Sequence, residues 1–208
     1  MKVLVFGANG KVGRLVVAKA LSRGHDVTAF VHSNRSSLPS HVSLKVIVGD
    51  VFDSEAVANA VAGADAVISA LGSWGAADKR VLSVGITHII SAMKLHRVKR
   101  IVSVTGSDAR YELDERGLIH TLLRPLLIIF AGKILRDGEA HLASLHRSKL
   151  NWTAVRSPVM TNGHGLYRLT NKRPNPWSAV YRDSVAEALI DCVEHNTYVQ
   201  QSPFIVKA

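Results

Sequence analysis

Gly7-Ala8-Asn9-Gly10-Lys11-Val12-Gly13 is a run whose residue types suit the holding of a pyrophosphate. Glycines let a backbone turn tightly and approach phosphate oxygens closely. The N–H groups and positive dipole end of a following helix then complete the anion site. The pattern has meaning only in context. Here the apolar run Val3-Leu4-Val5-Phe6 precedes it, and a helix-spaced set, Val12, Leu15, Val16 and Ala20, follows. Strand, glycine turn and helix in that order predict a dinucleotide site, with Gly7, Asn9, Gly10, Lys11, Val12 and Gly13 as cofactor-binding positions. The competing reading is an ordinary glycine-rich corner, which would not need all three features to agree.

Residues further on bear on which dinucleotide is held. Sites that prefer NAD place a carboxylate at the end of the second strand, on the ribose hydroxyls. No acidic residue occurs from Val27 to Gly49, and Asp26 opens that strand at the wrong end. The strand runs out instead into His32-Ser33-Asn34-Arg35-Ser36-Ser37. Arg35 and His32 are the expected donors to a 2′-phosphate, with Lys11 adding a second charge, so NADP(H) is the predicted cofactor. The alternative is a solvated polar loop without a target. After the third apolar run, Asp50 is positioned to accept from an adenine amino group while Val51 touches the ring. Small residues end the fourth run at Ala70-Leu71-Gly72, and Thr105 and Ser107 end the fifth. In an open α/β sheet, ligands bind where such strand ends converge.

These positions need elements to carry them. Apolar β-rich runs at 2–6, 27–31, 44–48, 65–70, 100–104 and 151–156 alternate with helical patterns near 11–23, 53–62, 78–96 and 112–147. Alternation with nearly uninterrupted apolar strands predicts an α/β fold, a doubly wound parallel sheet of Rossmann type covered on both faces. Gly24 is the expected C-cap of the first helix and Asp53 the N-cap of the next. The interval 105–150 must hold structure of its own. From about 158, Pro158, Gly163, Gly165, Pro174 and Pro176 punctuate short runs, read as small strands in a cap or hairpin above the sheet edge. A helix from Asp183 to about His195 and a last strand at 204–206 follow. The whole of 1–208 is therefore expected to be one domain, with 158–208 as its small C-terminal substrate region.

Composition sets limits on the rest. A chain of 208 residues with 47% apolar content can bury a full core. Its first residues already read as strand, so no signal or transit peptide is expected, and the single Cys192 suits a reducing, cytoplasmic setting and a structural role. The net charge of +10 does not form a basic tract with interleaved aromatics, which argues against a nucleic-acid partner. It suits an anionic small ligand instead. The most apolar stretch has only eight residues between Arg124 and Lys133, against the ~20 that span a bilayer. It reads as a buried helix, with a substrate lid or a dimer face as functional alternatives.

The glycine turn resembles the GATGxxG motif of atypical, extended-like short-chain dehydrogenases/reductases. Gly49-Asp50-Val51, Ser103-Val104-Thr105-Gly106-Ser107, Asn151-Trp152-Thr153-Ala154-Val155-Arg156-Ser157-Pro158 and Arg182-Asp183-Ser184-Val185-Ala186 extend the likeness over nearly the whole chain. Together they resemble the NAD(P)H-binding group that includes NmrA-like proteins and the biliverdin reductase B/flavin reductases. The resemblance implies a Rossmann sheet, adds Pro158 to the cofactor contacts, and implies either a reductase of flavins, quinones or tetrapyrroles or a redox sensor without turnover.

One departure narrows the chemistry. Short-chain dehydrogenases that reduce simple carbonyls use a tyrosine with a lysine four residues later, which lowers the phenol pKa. Here Tyr111, Tyr167, Tyr181 and Tyr198 are followed at that spacing by Glu115, Asn171, Val185 and Ser202. An ordinary alcohol or ketone substrate is therefore not expected, and the missing pair and short C-terminal region weaken a sugar-nucleotide epimerase as well. A small planar acceptor stacked on a nicotinamide needs orientation and exclusion of water rather than a proton relay. Ser107 is the candidate catalytic donor, offset by one from the family's serine, with turn capping as its alternative role. Asp137 matches a recurrent family aspartate or caps its own helix. His141 and His146, five apart, make a poor metal pair, and no metal is expected. The runner-up to an enzyme is a sensor acting through a regulatory protein partner. A homodimer is compatible with either.

Overall fold

The chain is described by a computed structural model covering residues 1–33, 38–111, 114 and 118–208, the side chains at 118–120 and 123 aside. Its elements are β1 (Lys2–Phe6), α1 (Gly13–Ser22), β2 (Asp26–Val31), β3 (Leu44–Val48), α2 (Ser54–Val61), β4 (Ala66–Ser69), α3 (Val81–Leu95) and β5 (Arg100–Gly106). There follow α4 (Leu118–Ser148), β6 (Asn151–Ser157), β7 (Val159–Thr161), β8 (Tyr167–Thr170), β9 (Ala179–Tyr181), α5 (Arg182–Glu194) and β10 (Phe204–Lys207). The expected caps form. Gly24 follows α1 at φ 77°, a value that costs glycine little. Asp53 accepts from the Glu55 and Ala56 N–H groups at 2.9 and 3.1 Å at the start of α2.

Eight strands form the sheet in the order β3-β2-β1-β4-β5-β6-β10-β8. All neighbours are parallel except β8 on β10. The order in which successive strands are laid down reverses between β1 and β4, the switch point where ligands of open α/β sheets collect. One core packs α1 and α5 on one face; a second packs α2, α3 and α4 on the other.

Three expectations need correction. Residues 167–170 do not sit above the sheet edge but extend it: β8 pairs antiparallel with β10, from Phe204 opposite Thr170 to Lys207 opposite Tyr167. This gives the edge of β10 a hydrogen-bonded partner. The small separate sheet is β7 with β9, and β7 was not anticipated. Coverage on both faces also fails at the opposite edge, where Val46 and Val48 of β3 are exposed.

The third correction concerns 124–132. The interval is helical, but α4 breaks at Ala131 (φ −135°, ψ 18°) and carries Pro125 in its first half. Leu126, Ile129 and Phe130 are exposed, whereas Leu135, Leu142 and Leu145 beyond the break are buried. Among the described side chains, only the second half packs on the sheet, so hydrophobicity alone misread the first half as buried. Among the described residues, no helix is long and apolar enough to cross a membrane.

Candidate functional site: a dinucleotide cradle and the strand ends beside it

The glycine turn is shaped by close backbone approach. Gly7 has φ 71°, and a Cβ there would lie 2.7 Å from the Ala70 carbonyl oxygen. A Cβ on Gly13 would overlap the Gly7 carbonyl oxygen. Gly10 closes the turn by donating its N–H to Gly7 O at 2.9 Å. No side chain caps α1, and its first turn holds no acidic residue. The positive end of that helix is thereby left to an anion, as a pyrophosphate requires. Lys11 is exposed at the mouth, Asn9 is half-buried, and Val12 is buried under the turn.

Beside the turn, the exposed His32 Nδ1 lies 3.7 Å from the Asp50 carboxylate. Asp50 also accepts from the Phe52 N–H at 2.9 Å. Arg35 lies outside the described residues. Val51 is only 9% exposed and packs in the α2–α3 core, its carbonyl accepting from His88 at 2.9 Å. Its side chain therefore offers an adenine a rim rather than a face.

Across the strand ends, register aligns Phe30, Phe6, Ser69, Ser103 and Ala154 on neighbouring strands. The row passes from an aromatic pair, centroids 4.9 Å apart, to small residues at the switch point. Ala70 and Leu71 are half-buried against Gly7, and Gly72 is exposed with open space where a Cβ would stand. Gly106 has the same open space. The buried hydroxyls of Ser69 and Thr105 have no hydrogen-bond partner among the described residues. A cradle that a Cβ would fill, an uncapped helix end and these strand-end hydroxyls all fit a bound dinucleotide.

Ser107 is half-buried. Its N–H donates to Ser157 O at 2.8 Å, and its carbonyl accepts from Arg173 at 2.9 Å. Pro158 is buried next to Ser157, whose hydroxyl donates to the Pro158 carbonyl at 3.0 Å. Arg173, from the proline-rich 172–177 loop, also pairs with Asp114 at 2.7 Å. Asp114 pairs in turn with the buried Arg156 at 2.5 Å, and that guanidinium stacks 3.8 Å above the Phe204 ring. Burial lowers the pKa of Arg156 despite the carboxylate beside it. Sequence reading missed this cluster. The available signal was Arg156, a charge at the end of an otherwise apolar strand, which demands a buried counter-charge.

Asp137 does not cap its own helix. It reaches across to α3, accepting from the Leu82 and Ser83 N–H groups at 3.0 and 2.8 Å and from the Ser73 hydroxyl. The next residue, Gly138, lies against β5: a Cβ there would stand 2.9 Å from Ala109 Cβ and 3.0 Å from Thr105 Oγ1. One turn on, His141 is fully buried. Its Nε2 lies 3.0 Å from the Ser103 hydroxyl and its Nδ1 3.5 Å from Leu82 O, a pairing that suits a neutral ring. Burial lowers its pKa to about 4. His146 instead bonds the Tyr111 hydroxyl at 2.9 Å, so the two histidines serve different neighbours. Trp152 and Cys192 are buried in the core, whereas Trp177 is exposed.

Outside Asp137, α3 and α4 open a cavity of roughly 700 Å³. Lys79, Arg80, Lys133 and Arg136 line it, with Asp78 as a further acidic wall.

A parallel sheet in this order, with a glycine cradle at the first strand and small residues at the switch point, defines a Rossmann-type dinucleotide-binding protein. The family model described as NAD(P)H-binding matches residues 7–196, and the chain belongs to that family. Its cofactor is accordingly NAD(P)H. A putative NADH-flavin reductase from Streptococcus pneumoniae superimposes with a TM-score of 0.80 at 26% identity, covering 100% of both chains. An uncharacterized sugar epimerase of Bacillus subtilis, YhfK, is 29% identical over 95% of this chain and 90% of its own. The 2-alkyl-3-oxoalkanoate reductase of Stenotrophomonas maltophilia is 38% identical over 109 residues, 49% of this chain. That match spans only 32% of the relative's length.

Proposed function

We propose that this chain is an NADPH-preferring reductase of a small planar acceptor of flavin, quinone or tetrapyrrole type. The observation that carries the reading is the open space at Gly72 and Gly106 beside an uncapped glycine cradle. When bound, reduced nicotinamide supplies the hydride, and solvent can supply the accompanying proton to such an acceptor. The protein's own part is to bind and orient. Gly7, Gly10 and Gly13 admit the pyrophosphate, Ala70 and Leu71 bound the path over the sheet, and Thr105 and Ser107 border the acceptor. The putative NADH-flavin reductase with the same fold supports the acceptor class.

A sensor that works through a protein partner would need the space above β5 closed by residues 111–135 or 172–177. Arg173 does reach the Ser107 carbonyl. Among the described residues the space at Gly106, one residue away, is open, which favours the reductase.

The test is NADPH oxidation at ~340 nm, the absorbance of the reduced nicotinamide, with FMN, a small quinone and biliverdin as separate acceptors. Turnover with any of them, and much less with NADH, is expected. Tight NADPH binding without turnover across the panel would overturn the reductase. Arg35→Ala tests the 2′-phosphate contact. One charge-assisted bond of ~1.5–3 kcal/mol corresponds to a loss of roughly ten- to a hundredfold in NADP affinity, with little change for NAD. Equal weakening of both would sink that assignment.

A further inference from the structure

The cavity between α3 and α4 carries more positive charge than its own acids neutralise. Arg80 is occupied by Asp78, at 2.7 Å between Nη2 and Oδ2. Lys79 points its ammonium at the Ala76 and Ser73 carbonyl oxygens, at 2.6 and 3.4 Å. Asp137 is 4% exposed and spends its oxygens on Ser73, Leu82 and Ser83. The carboxylate therefore faces α3 rather than the cavity cations, and it already satisfies the start of that helix. Glu139, the nearest other acid on α4, is paired with Arg124 at 2.7 Å. Lys133 and Arg136 remain. They stand three apart on α4, so they share a helix face, and both line the cavity without a partner among the described residues.

Two unpaired cations on one wall of a roughly 700 Å³ cavity fit a group with two negative charges. Asp137, on the wall they share, accepts from the hydroxyl of Ser73, the residue after Gly72, and the Lys79 ammonium on the same rim reaches the Ser73 carbonyl at 3.4 Å. The cavity thus adjoins the segment that follows β4, whose Gly72 offers open space beside the cradle. From this placement we infer that Lys133 and Arg136 form an acceptor subsite that selects planar acceptors bearing a phosphate tail. This rests on the reductase reading for the identity of the ligand, not for the existence of the cation pair.

FMN and riboflavin share one ring system and differ by the phosphate, so the pair isolates the subsite. Dissociation constants for both are measured by flavin fluorescence with the protein saturated in NADP⁺, where no turnover occurs. FMN is expected to bind at least about tenfold more tightly than riboflavin, the gain of one good charge-assisted contact. Raising ionic strength should erode the FMN affinity alone. In the Lys133→Ala/Arg136→Ala double variant the preference should vanish, while Arg136→Lys should keep part of it. Both side chains are exposed, and unchanged circular dichroism verifies the fold. Equal affinities in the unaltered protein, a preference that survives the double variant, or no FMN binding at all would each overturn the subsite. Failure of the parent reading looks different: FMN preferred through Lys133 and Arg136, yet no NADPH oxidised with any acceptor. Equal turnover of FMN and riboflavin, insensitive to the variant, would remove the subsite and leave the reductase standing.

Discussion

The two halves of the site are made in different ways. The cofactor half is seven consecutive residues whose backbone folds onto itself and onto Ala70. The proposed acceptor side is backed by side chains from four distant stretches: Ser73 before α3, Ser103 on β5 with Ser107 just past its end, Asp137 and His141 on α4, and Arg173 just past β8. Local construction makes the first half intolerant of any added atom. Long-range construction makes the second half depend on buried polar partners, hence on pH and on the integrity of the whole domain.

The sharpest way to test that contrast is Gly13→Ala. Its methyl group must displace the Gly7 carbonyl, so the cradle cannot keep its shape. NADPH affinity is expected to fall by about a hundredfold or more, equivalent to ~3 kcal/mol, in isothermal titration. An affinity within a fewfold of the parent would show that the turn is more pliable than its packing implies.

Acid should act on the other half. The folded pKa of His141 lies near 4, below its ordinary value of 6.5, because burial disfavours the charged ring. The unfolded chain therefore takes up a proton first as pH falls. Stability conferred by the neutral ring is complete above about pH 6.5 and drains away between there and about pH 4, by roughly 3 kcal/mol. Melting temperature measured over that window should fall, and His141→Gln should flatten the slope while lowering the melting temperature at neutral pH. An unchanged slope in the variant would place the acid sensitivity elsewhere.

The smallest effect is expected where neither half is involved. Lys19 pairs with Asp183 and Glu187 on the α1–α5 seam, where each partner is partly exposed. Lys19→Ala should cost no more than about 1 kcal/mol in chemical denaturation and leave cofactor binding intact. A loss several times larger would mean that this outer seam, and not the buried α3–α4 contact, governs stability.

What could be read from the sequence follows the same division. The turn from Gly7 to Gly13, the alternating strands and helices, and the caps at Gly24 and Asp53 depend on neighbours in the chain, and each was legible. The pairing of β8 with β10, the reach of Asp137 to α3 and the Arg156–Asp114–Arg173 cluster depend on partners tens of residues away. No periodicity encodes them. The exposed first half of α4 misled for a related reason: an apolar run states what could be buried, and only the break at Ala131 decides what is.

Arg173 brings one last consequence, for how the chain can vary. Loops ordinarily absorb inserted residues at little cost, since closure entropy rises slowly with length. Residues 172–177 are denied that freedom, because their arginine must arrive at Ser107 and Asp114 together. The stretch around Arg173 should therefore keep its length among descendants of this sequence even where its other residues drift.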